Sequence, residues 1–211
     1  MRICEIFASI QGESTYAGLP CVFVRLTGCN LRCAFCDTTY AYDEGDDMNV
    51  DSAVDAVGKF GINLVEITGG EPLLQSCVKE LTSRLLDRGC KVLIETNGSV
   101  DIDAIDKRAV IIMDVKTPGS GMQDSVRTTN FALLKTTDEL KFVLSGRTDY
   151  EWAVDFVKRY SLLDKCTILF SPVYGVLAPA DLSRWLVADR LSVRLNLQLH
   201  KYIFDPHQRG V

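Results

Sequence analysis

Long apolar runs are missing from this chain: no stretch approaches the roughly 20 residues that cross a bilayer. The first seven residues include an acid, Glu5, and no apolar run of secretory-signal length. A cytoplasmic protein with no membrane partner is the expectation. Basic charge is also in short supply, with 23 Lys and Arg against 28 Asp and Glu and a net charge of -5. Nucleic acid is therefore not an expected partner, because duplex affinity rests on many cationic contacts to phosphate. A small anionic substrate held by one or two well-placed cations stays open. Histidine is scarce, limited to His200 and His207. No low-complexity tract, repeat or interdomain linker is apparent. With 47% hydrophobic and 24% charged residues, the 211 residues suit one globular domain over 1–211.

Cysteine, by contrast, occurs eight times. Four disulfides would suit a small secreted chain, whereas a larger chain without a signal that clusters three of its cysteines reads as a metal site plus scattered thiols. Cys4, Cys21, Cys90 and Cys166 fall in or beside apolar runs and read as small core hydrophobes, while Cys77 could be exposed or packed.

Strand-like and helix-like runs alternate almost throughout. Residues 2–7, 21–27, 64–68, 91–95, 109–115, 139–145 and 166–170 read as strands, with 193–199 as a half-exposed one. Helices are expected over 50–60, over 73–88 with Leu74, Val78, Leu81 and Leu85 on one face before Gly89, and over 179–190 with Pro179 in the first turn. Thr148 and Glu151 form a capping-box pattern opening a further helix that carries Trp152 and Phe156. Such alternation implies parallel βαβ units. A closed eight-fold barrel takes about 250 residues, more than are present, and 102–108 is brief for a helix. The expected fold is α/β, an open, partial TIM-like barrel of about six β/α repeats. Residues 116–130, rich in Gly, Ser and Thr, form the longest loop and a candidate lid.

Ligands bind at the carboxyl ends of strands in such folds. Directly after residues 21–27 comes Cys29-Asn-Leu-Arg-Cys33-Ala-Phe-Cys36. Three thiolates in so tight a loop can hold three irons of a cubane and leave the fourth open, and an open coordination position is what chemistry at a metal requires. Structural zinc wants four protein ligands, but no second Cys-x-x-Cys is present and both histidines are far downstream. Gly69-Gly70-Glu71-Pro72 comes after the next strand. Taken alone it is a turn into a helix; beside the cysteine loop, its glycines would let the backbone approach a ligand. Glu95-Thr-Asn-Gly-Ser99, Lys116, Ser171-Pro172 and His200-Lys-Tyr202 come after the later strands.

Cys-x-x-x-Cys-x-x-Cys with Phe35 before its last cysteine, succeeded by Gly-Gly-Glu-Pro, resembles the radical S-adenosylmethionine superfamily. The resemblance implies a [4Fe-4S] cluster on Cys29, Cys33 and Cys36 whose open iron binds S-adenosyl-L-methionine. Reductive cleavage of that cofactor then generates a 5′-deoxyadenosyl radical that abstracts a substrate hydrogen. It also implies Phe35 and Asp37 beside the adenosyl group and Gly70 and Glu71 at the methionyl ammonium. The strand ends Asp114-Val115-Lys116, Ser99 and Ser171-Pro172-Val173-Tyr174 would make the remaining cofactor contacts.

Gln11-Gly12-Glu13, Arg25, Asp37-Thr-Thr-Tyr40, Glu95-Thr-Asn-Gly98 and Gln198-Leu-His-Lys-Tyr202 together resemble the 7-carboxy-7-deazaguanine synthase family over nearly the whole chain. That family converts 6-carboxy-5,6,7,8-tetrahydropterin to 7-carboxy-7-deazaguanine with loss of ammonia, on the route to queuosine. By this resemblance Glu13 and Arg25 are the catalytic candidates, and Ile10, Gln11, Gly12, Arg25, Thr68 and His200 bind substrate. Thr38 would ligate Mg²⁺. The resemblance further implies a homodimer, and an electron donor of flavodoxin or ferredoxin type. The competing readings are another short enzyme of the superfamily, such as an activase for a glycyl-radical enzyme, and a non-catalytic iron–sulfur or zinc module.

Overall fold

Apolar and ionisable residues alternate along the central segments, and a period of two sends them to opposite faces of a sheet. The computed structural model describes residues 1–206 and 208–211, so His207 lies outside the described residues. The first hairpin joins β1 (Arg2–Ile10) to β2 (Pro20–Leu26), which are antiparallel, and the two-residue β3 (Asp46–Asp47) pairs with β1 at the edge. Beyond β2 the strands run parallel: β4 (Leu64–Gly69), β5 (Lys91–Thr96), β6 (Val110–Asp114), β7 (Glu139–Leu144), β8 (Thr167–Pro172) and the short β9 (Arg194–Leu195). One sheet in the order β3-β1-β2-β4-β5-β6-β7-β8-β9 results, open at both edges. The open, partial barrel expected from the chain length is the architecture observed.

Helices α1 (Val50–Gly58), α2 (Val78–Asp87), α3 (Arg147–Arg159) and α4 (Pro179–Asp189) cover one face, and a single helical turn, α5 (His200–Ile203), comes after β9. Val22, Val24, Leu26, Val65, Ile67, Val92, Ile94, Ile111, Met113, Leu140 and Phe142 meet those helices in the main core. No helix covers β6 among the described residues. Phe131, in a 3₁₀ turn, substitutes by packing edge-on against Phe156 of α3 with ring centroids 5.8 Å apart.

On the other face Phe23, Leu64, Leu93, Val110 and Ile112 form a smaller apolar tier. Above it, toward the carboxyl ends, the same alternation places Arg25, Glu66, Thr68, Glu95, Asp114 and Lys141. The second face therefore has an apolar floor and an ionisable rim.

Three local expectations need correction. A 3₁₀ turn at Pro72–Leu74 precedes α2, which leaves Leu74 48% exposed rather than on the apolar stripe. Thr148 and Glu151 do not cap α3: Gly146 is its N-cap, Glu151 pairs with Arg147 at 2.9 Å, and the Asp149 carboxylate accepts from the Ser145 and Gly119 amides at 2.8 and 2.7 Å. The strand expected over 193–199 shrinks to two residues, because Asn196 ends the pairing and its side-chain amide turns to the Ser171 hydroxyl at 2.8 Å. From there the chain leaves the sheet, and residues 198–203 run across the ionisable rim.

Candidate active site

The loop after β2 carries Cys29, Cys33 and Cys36, all free and all half-buried. Segments after three neighbouring strands hold it. Gly28 accepts from the Glu71 amide at 2.8 Å, Asn30 meets the side chains of Asn97 and Ser99 at 3.1 and 2.9 Å, and the Ala34 amide donates to the Ser120 carbonyl at 3.0 Å. The last contact ties down residues 116–130, the candidate lid. Within the loop the Leu31 amide points at Cys29 Sγ (3.4 Å), and Arg32 donates to the Cys29 and Leu31 carbonyls while its guanidinium stacks over Tyr42. Burial raises the Cys33 thiol; the Lys116 ammonium opposes that rise, and Cys36 and Cys29 reinforce it, so the three sulfurs share one electrostatic environment.

Whether this loop suits a cluster can be tested on Gly70. A Cβ there would lie 2.6 Å from Cys29 Cβ and 2.7 Å from the Gly28 carbonyl carbon, so only glycine lets the backbone after β4 lie flat against the cysteine loop. Among the described residues no three His, Cys, Asp or Glu side chains gather closely enough for a single metal ion. Three free thiols in one loop that sense one another's charge fit a multi-iron cluster, whose ligands bind separate irons.

Glu71 is not turned toward this opening. Its fully buried carboxylate accepts from the Leu73 amide (3.0 Å), the Thr96 hydroxyl (2.8 Å) and the Asn97 amide (2.6 Å). The side chain expected at a methionyl ammonium instead stitches the ends of β4 and β5 together. Lys116 pairs with Asp114 Oδ2 at 3.0 Å, and Asp114 Oδ1 is buried with no hydrogen-bond partner among the described residues. An orphaned oxygen beside the cysteine loop is suited to a ligand donor. The Val115 amide continues the β6–β7 pairing to the Lys141 carbonyl (2.8 Å). Ser171, Pro172 and Val173 are buried at the end of β8, whereas Tyr174 is exposed and meets Tyr202 edge-on. Phe35 is half-buried in the cysteine loop.

The substrate candidates converge from both ends of the chain. Gln11 extends the β1–β2 hairpin, and its side chain donates to Glu66 while accepting from the Glu13 amide (2.9 Å). The Leu199 amide donates to the Gly12 carbonyl at 2.7 Å, and Gln198 donates to Glu13 Oε1 at 3.0 Å. A Cβ on Gly12 would lie 2.9 Å from Cγ of His200, so the imidazole rests directly on that glycine. Burial lowers the His200 pKa, with Glu13 opposing. Arg25 pairs through Nε with Glu5 at 2.8 Å, which leaves its two-nitrogen fork outside that pair. Tyr40 donates to the same Glu5 oxygen, and burial together with that bond pushes its phenol up to about 12. Thr68 donates to Glu95 at 3.1 Å. Thr38 donates to Asp37 at 3.0 Å, and Asp37 pairs with Lys201 at 2.6 Å, an ammonium strong enough to hold the carboxyl low despite desolvation. The tail beyond α5 returns to the same side, where Arg209 stacks on Tyr40 and pairs with Glu44 at 2.8 Å.

Sequence reasoning missed Glu66 and Lys141 as site residues. Both interrupt strands that are otherwise largely apolar, and that interruption was the available signal. Lys141 is 4% exposed and bonds Glu13 Oε2 at 2.7 Å, Glu95 Oε1, and more distantly Asp114 Oδ2 at 3.6 Å. Glu66 is buried among carboxylates, and burial, reinforced by Glu95, raises its pKa well above the ordinary range.

The Radical SAM superfamily profile matches residues 23–161. A 7-carboxy-7-deazaguanine synthase of Chlorobaculum tepidum is 47% identical over all of this chain and 97% of its own length. One from Koribacter versatilis is 45% identical with both chains fully covered. The crystal structure of QueE from Escherichia coli has the same fold, with a TM-score of 0.77 at 24% identity over 94% of each chain. Among the described residues no helix is long and apolar enough to cross a membrane.

Proposed function

Since the chain belongs to the radical S-adenosylmethionine superfamily and, within it, to the 7-carboxy-7-deazaguanine synthases, we propose how its own residues divide the work of that reaction. The substrate is 6-carboxy-5,6,7,8-tetrahydropterin, and the products are 7-carboxy-7-deazaguanine and ammonia, in queuosine biosynthesis. The observation that carries this reading is the junction of Gln11–Glu13 with Gln198–His200 across the rim, one strand from the cysteine loop.

Cys29, Cys33 and Cys36 would hold the [4Fe-4S] cluster, and Asp114, Lys116, Ser99, Phe35, Asp37 and the Ser171–Tyr174 segment line the space for S-adenosyl-L-methionine. When bound, cluster and sulfonium supply the one-electron step that initiates hydrogen abstraction, and Mg²⁺ supplies Lewis-acid orientation of a carboxylate. Gly69 and Gly70 contribute backbone; the Glu71 carboxylate holds that backbone in place. Thr38, a hard hydroxyl already beside a carboxylate, suits an ion that takes few protein oxygens. The free fork of Arg25 matches a substrate carboxylate in bidentate fashion. The Ile10–Gly12 backbone, Gln11, Glu13, Thr68 and His200 face the donor–acceptor edge of the pterin. The rim is closed from above by residues 198–203, which limits water at the reacting atoms.

A single domain over 1–211, a homodimer, a cytoplasmic location and a small electron carrier of flavodoxin or ferredoxin type complete the reading. A glycyl-radical activase and a non-catalytic module are not favoured, because the full-length relatives carry the synthase name. Anaerobic incubation of the iron-loaded protein with reductant, S-adenosyl-L-methionine and the carboxytetrahydropterin, with products read by mass spectrometry, tests the assignment. Carboxydeazaguanine is expected, and a fully loaded protein that forms none refutes it.

A further inference from the structure

Among the described residues, Lys141 is the rim cation that bonds carboxylates from two other elements at once. It stands on β7 in register with Asp114 of β6, and its ammonium reaches carboxylates from three separate elements: Glu13 before β2, Glu95 on β5 and Asp114. The other nearby cations have nearer partners: Arg25 pairs through Nε with Glu5, Lys116 with Asp114 and Lys201 with Asp37. Glu13 and Glu95 therefore meet on one ammonium beside the Gln11–Glu13 segment.

We propose that Lys141 is a positioning residue of the pterin site, whose buried ammonium aims the Glu13 and Glu95 carboxylates as a pair of hydrogen-bond acceptors for substrate N–H groups. This role rests on the functional reading above. Two carboxylates drawn to one ammonium repel each other as soon as it is removed, and one of them then takes up a proton. A protonated carboxyl no longer accepts at both oxygens, so the substrate edge is misread. The shifts around Lys141 agree with this geometry. Burial works to raise the Glu13 pKa, yet the charge and hydrogen bond of Lys141 override it and hold the group low, helped by His200 and Gln198. Lys141 itself is held well above the ordinary lysine range: burial works to lower it, and Glu13, Glu95 and Asp114 override that. Glu66, on β4 beside Glu95, goes the other way: burial, reinforced by Glu95 and Glu13, raises its pKa well above the ordinary range, with Lys141 and the Gln11 side chain opposing. The charged or titratable groups facing Lys141 and the pair are Glu66 on β4, Asp114 on β6, Lys116 just after it, Glu139 on β7, Asp37 in the cysteine loop, His200 on α5 and Arg25 on β2.

The test uses iron-loaded Lys141→Met and Lys141→Arg beside the wild type. Pterin KM and kcat are measured from pH 6 to 8.5, and pterin Kd by anaerobic equilibrium dialysis over the same range. His200 and Glu66 are common to all three proteins, so differences between profiles report on the Lys141 partners. In the wild type the Glu13 pKa is held low by Lys141, and no KM inflection from Glu13 is expected. In Lys141→Met the Glu13 carboxyl loses the ammonium that holds it low, so KM and Kd are expected to increase at least tenfold as pH falls, with a smaller change in kcat. Lys141→Arg, which keeps the charge, is expected to restore the wild-type profile. Lys141→Met with unchanged KM, Kd and pH dependence overturns the proposal. Should Lys141→Met fail to fold, Lys141→Arg decides: a wild-type profile supports the role, and an acid-side rise in KM despite the retained charge overturns it. A wild type that makes no carboxydeazaguanine overturns the functional reading itself, an outcome distinct from a failure confined to the variants.

Discussion

Replacing Gly70 by alanine probes the packing that makes the cysteine loop a cluster site. The added Cβ would lie 2.6 Å from Cys29 Cβ and 2.7 Å from the Gly28 carbonyl carbon, where ordinary carbon contacts lie at about 3.5–4.0 Å. Neither neighbour is the end of a flexible side chain, so the loop must retreat by about 1 Å. That shift weakens the 2.8 Å bond from the Glu71 amide to Gly28 and the 2.8 Å bond from the Gly28 amide to Ala41. Overpacking of this kind costs about 1–3 kcal/mol, small enough for the fold to survive a typical stability of about 5–15 kcal/mol. Cys29 is the proposed ligand displaced directly, whereas Cys33 and Cys36 are anchored separately through Ala34 and the turn bond from the Cys36 amide to the Cys33 carbonyl. The expected result is a folded protein with a slightly lower Tm, substantially reduced iron and sulfide after anaerobic reconstitution, and turnover lowered on the order of 10²-fold, the loss typical of a 1 Å misplacement. Iron, sulfide and a thermal melt measured together are decisive. Full iron loading with an unchanged Tm would refute the tight-packing argument.

Arg25→Ala removes the bidentate contact proposed for the substrate carboxylate, worth about 1.5–3 kcal/mol per hydrogen bond, so pterin KM is expected to rise on the order of 10²-fold by steady-state kinetics. Cys33→Ala should leave a folded chain that retains little iron or sulfide on reconstitution; full loading would remove that thiol from the ligand set. Glu66 has a raised pKa in the folded state, so its contribution to stability is present below its unfolded value of 4.5 and is lost as pH rises through the folded value. Glu66→Gln keeps the acceptor for Gln11 and abolishes that dependence, so its Tm should fall less than the wild type's between pH 5 and 8, and parallel curves would contradict the assignment. Tyr150→Phe removes the 2.7 Å bond to Asp189 from the far face of the sheet and should cost about 1 kcal/mol by denaturant unfolding with iron content unchanged.

Apolar strand-like runs alternating with helix-like ones, together with the chain length, were enough to read the α/β order, the open sheet and the strand ends where the site lies, because parallel strands covered on both faces read as near-continuous apolar runs. The cysteine spacing likewise needed no structure, since ligands within one loop are neighbours by covalent reach. Local pattern failed where a distant partner competed. Thr148 and Glu151 have the spacing of a cap, yet Asp149 holds the entry to α3 through Ser145 and Gly119. Residues 193–199 alternate like a strand, but Asn196 and Gln198 find better partners in Ser171 and Glu13. The Glu71 carboxylate, adjacent in sequence to Gly69 and Gly70, is claimed by the Thr96 hydroxyl and the Asn97 amide at the end of the next strand. Covalent spacing and residue period thus determined which chemistry the chain can hold. Only the closing of the sheet decided which carboxylates share Lys141, because that charge balance arises from side chains up to 128 positions apart.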